Sequence, residues 1–216
     1  MADLLTLAGR SHPALPLDVL ASLTLLSLVP LLLVMCTSFV RIVVVLSLVR
    51  SAIGASALPP NAVLAGLALV LTFVVMAPTG ARIEREAIGP YARGTIAPSQ
   101  ALTRALVPLR AFMLRQTRAA DVAVFARIAG SRADRSVPLS ILVPAFVVGE
   151  LRSAFAIGFA LYLPFVAIDL AVAAMLMGLG MMMLSPPVVS LPAKLLLFVM
   201  VDGWAMVCGG VAASFR

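Results

Sequence analysis

Between Ala62 and Ala81 the chain runs for twenty residues without a charged side chain. A helix of that length is about 30 Å long, the thickness of the hydrocarbon core of a bilayer. In such surroundings every backbone N–H and C=O needs a partner from the chain itself, and a helix supplies all of them within the segment. A second charge-free run, Val19 to Val40, is interrupted by Pro30. The composition agrees with both runs. Hydrophobic residues make up 62% of the chain and charged ones 12%, against roughly 45–50% and a quarter in soluble domains. An ordinary soluble domain is excluded. We expect an all-α membrane-assembly protein of long, broken helical hairpins with a small hydrophilic helical insert.

Four segments follow from the distribution of charge and proline. Residues 1–18 form a short polar lead without a basic start, apolar stretch and small-residue cleavage site of their own, so no separate signal peptide is expected. Residues 19–81 make a first hydrophobic hairpin. Its break is "ALPPN" at 57–61, where Pro59 and Pro60 cannot continue a helix and Asn61 can cap the next. Residues 82–138 form an arginine-rich insert, and residues 139–216 a second hydrophobic hairpin. Within the insert, Leu109, Phe112, Met113 and Gln116 fall on one helical face and Val122, Phe125 and Ile128 continue in threes. Amphipathic helices are the reading.

The net charge of +7 is concentrated in the insert. Residues 82–135 hold ten arginines and four acids, a balance of +6. With one tyrosine and no stacking pattern, this is a solvated surface and not a nucleic-acid reader. The second hairpin carries its own charges in apolar surroundings: Glu150, Arg152, Asp169, Lys194 and Asp202. An ionised group at bilayer depth costs about 2.5–3.5 kcal/mol, so five facing lipid singly would cost on the order of 10 kcal/mol. They are expected to be buried against protein or water, mostly as ion pairs between helices. Ala156 with Ala160, and Ala174 with Gly178, have the spacing of close helix contacts. Pro186, Pro187 and Pro192 then interrupt the last apolar stretch.

At that interruption stands "GLGMMMLSPP", with Met181, Met182 and Met183 between two glycines and two prolines. Three readings are open: core filler, a Cu(I) site, or a soft seal around a pore. Thioethers suit Cu(I), and Met177 with Met181 has helical spacing, but eleven methionines in an apolar chain produce such a pair by chance. Cys36 and Cys208 lie in apolar sequence and read as buried thiols. No HExxH, GxSxG, Walker loop or Rossmann fingerprint is present, and the single histidine is His12. We expect no enzyme, no cofactor and no metal site.

Five stretches in order, "TSFVRIVVVLSLVRSAIG" (37–54), "PPNAVLAGLALVLTFVVMAP" (59–78), "PLRAFMLRQTRAADVAVFARIA" (108–129), "LVPAFVVGELRSAFAIGFALYLPFVAIDLAVA" (142–173) and "MGLGMMMLSPPVVSLPAKLLLFVMVDGW" (177–204), resemble the FliP family of flagellar export-gate proteins and its counterparts in virulence type III secretion. The "FMLRQTR" and "VDGW" stretches lean toward the flagellar branch. The resemblance implies a non-enzymatic subunit of a protein-export gate in the bacterial inner membrane, within the basal body and largely on its periplasmic side once assembled. It implies a pentameric homo-oligomer with FliQ-like and FliR-like small membrane subunits, working with FlhB-like and FlhA-like export components. Unfolded proteins are the substrates. On the same grounds Met181, Met182 and Met183 form the pore constriction, and Glu150 and Lys194 a charged pair between neighbouring subunits. The positive-inside rule would put the arginine-rich insert in the cytoplasm; the family places it on the periplasmic side, and we follow the family. The alternatives are the virulence counterpart and, from another class, a small-solute or Cu(I) transporter.

Overall fold

The computed structural model describes residues 34–55, 58–130, 137–181 and 183–215, with Ser27 and Leu31. The chain divides into two units, residues 1–35 and 36–216. In the first, Ser27, Leu31, Val34 and Met35 are helical; the polar lead and most of the first apolar run lie outside the described residues. The second unit is all-α, as the composition demanded, with no strand among the described residues.

Its helices are α1 (Phe39–Ile53), α2 (Asn61–Ile83), α3 (Pro98–Gln116), α4 (Ala119–Ile128), α5 (Leu139–Gly178), α6 (Pro186–Met200) and α7 (Gly203–Ala213). α2 continues without interruption through a π-helical turn, Glu84–Ile88, and a last turn, Gly89–Ala92. The helical stretches Asn61–Ala92 and Leu139–Gly178 are long and apolar enough to cross a membrane. α6 and α7, bent by 64° at their junction, qualify as a third if taken as one broken span. The 40 residues of α5 amount to about 60 Å, twice the hydrocarbon thickness.

α1 is the central element. Ile42, Val45, Leu46 and Val49 are almost wholly buried, and they pack with Leu64 and Ala68 of α2, Ala154 and Phe165 of α5, Phe198 of α6 and Val211 of α7. A turn at residues 36–38 precedes α1. A second cluster joins Cys36 to Phe112 and Met113 of α3 and Leu142 and Phe146 of α5. The arginine-rich segment thus packs on the hydrophobic helices through one apolar stripe. In α4 the buried positions are Asp121 and Ala126, while Ile128, the last residue of the helix, is exposed.

Within the chain the closest approach is set by a different small residue from those at the expected spacing. Ala156, Ala160, Ala174 and Gly178 are exposed, and a Cβ on Gly178 would meet nothing. The tight crossing is at Gly158, where a Cβ would overlap the Leu48 side chain of α1. Proline placement also departs from expectation. Pro192 sits inside α6, which runs on to Met200, since a helix in apolar surroundings tolerates a proline when neighbouring groups take up the freed carbonyl. The turn falls instead at Asp202, whose backbone is left-handed, with φ 49°.

Gly158→Val should force α1 and α5 apart and cost about 1–3 kcal/mol, as overpacking does. Gly178→Ala, facing open space, should be neutral or slightly stabilising. Thermal unfolding of the two variants in detergent compares them directly.

Candidate functional site

The loop between α5 and α6 is built to present side chains. α5 ends in a Schellman turn: the Met181 N–H donates to the Leu176 carbonyl at 2.9 Å and the Gly180 N–H to that of Met177 at 3.0 Å. Gly180 takes the left-handed conformation this turn requires, φ 74°. Beyond it Ser185 is extended, and Pro186 and Pro187 are the first two residues of α6, where proline's missing N–H costs nothing. The two ends of the loop are thus settled by local backbone bonds. Met181 is 45% exposed and Met183 101%; Met182 lies outside the described residues. Met175 and Met177, on the last turn of α5, are each 64% exposed. A Met177–Met181 metal pair on one helical face is not formed, because α5 stops at Gly178 before Met181 is reached. Among the described residues no group of three or more His, Cys, Asp or Glu could hold a metal.

Behind the loop, Asp169 and Lys194 brace the α5–α6 hairpin. The Lys194 ammonium donates to Asp169 Oδ2 at 2.6 Å and to the Ala52 carbonyl of α1 at 3.4 Å. Ser190 donates its hydroxyl to the other Asp169 oxygen. Lys194 and Ser190 are buried and Asp169 is partly exposed.

Glu150 is fully buried and belongs to a different pair. The Arg41 guanidinium of α1 grips it bidentately, Nη2 to Oε1 at 2.6 Å and Nε to Oε2 at 2.9 Å. The remaining donors of Arg41 are also used. Nη1 reaches the Ser214 carbonyl and hydroxyl, each at 3.0 Å, and Nη2 reaches Gln116 Oε1 at 3.2 Å. The guanidinium lies 3.9 Å from the centroid of the Phe215 ring, and Gln116 donates to the Phe215 carbonyl. Glu150 and Lys194 therefore do not meet within the chain; each already has a counter-ion there.

Two of the expected charges are exposed in the single chain. Arg152 leaves the surface of α5 to reach Asp121 of α4 at 2.7 Å, and its side chain is 46% exposed while Asp121 is 5%. Asp202 is exposed at the α6–α7 turn, where a short polar side chain tolerates the left-handed backbone. Sequence reasoning missed Arg41, Gln116 and Asp121 as partners. A lone arginine inside an apolar run and a glutamine on an apolar stripe were the available signals. At the other break, Asn61 is the first residue of α2, not its cap. Its Oδ1 accepts from Arg50 at 2.6 Å, and Arg50 also reaches the Pro59 carbonyl at 3.2 Å, holding the Pro59–Pro60 corner.

The sequence model of the FliP family matches residues 22–211 of this fold. The chain belongs to the FliP family. The flagellar biosynthetic protein FliP of Pectobacterium carotovorum subsp. carotovorum is 49% identical over 210 residues, covering 96% of this chain and 81% of the relative. That of Bacillus subtilis (strain 168) is 45% identical over 196 residues, 89% of each. That of Caulobacter vibrioides is 48% identical over 197 residues, 90% of this chain and 74% of the relative. Membership makes the chain a membrane component of flagellar biosynthesis and export.

Arg41→Met should leave the Glu150 carboxylate buried without its counter-ion and cost about 3–5 kcal/mol. Pairing it with Glu150→Leu should restore much of that loss, because an apolar pair of similar volume has no charge to desolvate. Unfolding midpoints of the two single variants and the double variant measure the coupling.

Proposed function

We propose that this FliP-family chain is the repeating subunit of a protein-export gate: a homo-oligomeric ring in the bacterial inner membrane through which unfolded flagellar proteins pass toward the periplasm. The observation that carries the reading is the α5–α6 loop, a thioether-rich tip with Met183 fully exposed at the end of a braced apolar hairpin. Flexible, polarizable methionines repack around chains of changing shape, which branched side chains do less well. A ring of them makes an apolar constriction that excludes water when idle. Met181, Met182 and Met183 would together line that constriction.

Assembly finds support in the outer face of α5. Phe155, Ala156, Phe159, Ala160 and Leu163 are exposed in the single chain and follow one another at helical spacing. Small and large apolar residues alternating on one face suit helix–helix packing in a membrane. The buried ion pairs hold each subunit together from within, and this apolar face contributes contacts between copies. FliQ-like and FliR-like membrane subunits would complete the gate, with FlhB-like and FlhA-like components delivering substrate. The length of α5 favours a gate that stands partly out of the bilayer on its periplasmic side, carrying the arginine-rich helices α3 and α4 there.

Trimming Met181, Met182 and Met183 to alanine should leave the ring assembled, since the Arg41–Glu150 and Asp169–Lys194 pairs are untouched. The closed gate should then leak small ions. Leucine at all three positions should keep the barrier and slow export of bulky chains. Ion conductance and substrate export of membranes carrying the assembled complex decide the matter; alanine variants as ion-tight as the parent would remove the methionines from the gate. Native mass measurement of the detergent-solubilised complex, with partner subunits co-expressed, should give a multiple of the chain's mass.

A further inference from the structure

We infer that Met183 is a site of reversible sulfoxidation by peroxide, and that its oxidation wets the constriction and makes the idle gate leak ions. The regulatory half of this rests on the constriction proposed above; the modification itself rests on exposure. Met183 is 101% exposed, whereas Met113, in the cluster with Phe112 and Phe146, is 1% exposed. Among the described residues Met183 is the most exposed methionine of the single chain, and the loop backbone on its N-terminal side is fixed by its own Schellman bonds. Access, which governs thioether oxidation in folded proteins, is therefore greatest at the tip of this hairpin.

The step needs no group from the protein. A lone pair of the thioether sulfur attacks one peroxide oxygen, the O–O bond breaks, and the departing hydroxide and the proton left on the transferred oxygen become water. Sulfur is oxidised by two electrons and gains one oxygen atom; the peroxide is reduced. The product converts an unbranched apolar side chain into a polar one that accepts hydrogen bonds, and methionine sulfoxide reductases reverse it. An apolar ring closes a pore by excluding water. A sulfoxide repeated around that ring supplies the acceptors water needs to enter. Ser185 is the one polar side chain within two residues of Met183, so the unoxidised tip offers little of this kind.

The experiment treats the assembled membrane complex with dilute hydrogen peroxide. Peptide mass spectrometry then follows oxygen uptake, and ion conductance is recorded on the same preparation. The expected result is one oxygen atom gained on the peptide carrying Met183 well before the peptide carrying Met113. Conductance should rise toward that of the alanine triple variant and fall again after methionine sulfoxide reductase with its reductant. The leucine triple variant, which has no sulfur at the tip, should show no peroxide-dependent rise whatever its resting conductance. Oxidation of Met113 at the same rate as Met183 would overturn the assignment of the site. Complete oxidation at Met183 with unchanged conductance, in a complex whose alanine variant does leak, would overturn the inferred effect while leaving the constriction standing. If the alanine variant does not leak either, the constriction itself fails.

Discussion

The second unit is organised around one buried guanidinium. Arg41 projects from the central helix, and its donors engage Glu150 of α5, Gln116 of α3 and Ser214 at the end of α7, while its flat face lies against Phe215. Removing two such ions from water costs several kcal/mol each, so their attraction is repaid only when every donor finds an acceptor. That condition fixes where three helices and the C-terminal residues can stand. Apolar stripes alone could slide past one another by a turn with modest loss, since one leucine replaces another. A bidentate fork cannot slide. Lysine could not substitute, because its point charge lacks the planar set of donors that holds three residues at once. Two further pairs between helices extend the same logic: Lys194 ties α6 to α5 and α1, and Arg152 ties α4 to α5.

With its charges satisfied inward, the chain leaves apolar surface outward. Phe73 of α2 is 76% exposed, and Phe159 and Leu170 of α5 are 66% exposed. A soluble monomer would bury such residues; a chain that meets lipid or other apolar helices has no need to. The long helices accordingly read as apolar nearly all the way round, and only the few polar residues among them mark which side faces the chain's own core.

Those polar residues explain what was legible in the sequence and what was not. The helical class followed from the charge-free run Ala62–Ala81, because no other secondary structure closes its own hydrogen bonds. The loop at 179–185 was marked by Gly180 and by Pro186 and Pro187, whose backbone preferences act locally. The stripe of Leu109, Phe112, Met113 and Gln116 predicted the buried side of α3, since an amphipathic helix exposes its pattern. Partner choice was not legible. Glu150, Arg152, Asp169, Lys194 and Asp202 were all visible as costly charges, yet pairing depends on which helices adjoin, and apolar helices carry almost no signal of their neighbours. Within the chain Glu150 found Arg41, 109 residues away, a partner that nothing in the sequence between them marks. Arg152 and Asp202 escaped burial for local reasons, one by its length and the other by standing at a turn. The small-residue spacing of Ala156 and Ala160 lies on a face that the single chain leaves open, while the close approach inside the chain is at Gly158.

The position of the methionine loop follows from the same division between braced and unbraced parts. Asp169 and Lys194 lie at nearly equal distances along the chain from Met181 and Met182, one on each arm of the α5–α6 hairpin, and their contact at 2.6 Å sets the arms in register. Everything below that contact is held by charge and packing. Above it, the Schellman turn satisfies the N–H groups of Gly180 and Met181, and the first turn of α6 those of Val188 and Val189. A loop whose backbone is settled locally can carry side chains chosen for what they meet outside the subunit. Side chains with three freely rotating bonds suit that place, since their lost entropy is not offset by packing inside the chain. The stiff hairpin thus fixes where the thioethers sit, and their own flexibility sets what can press past them.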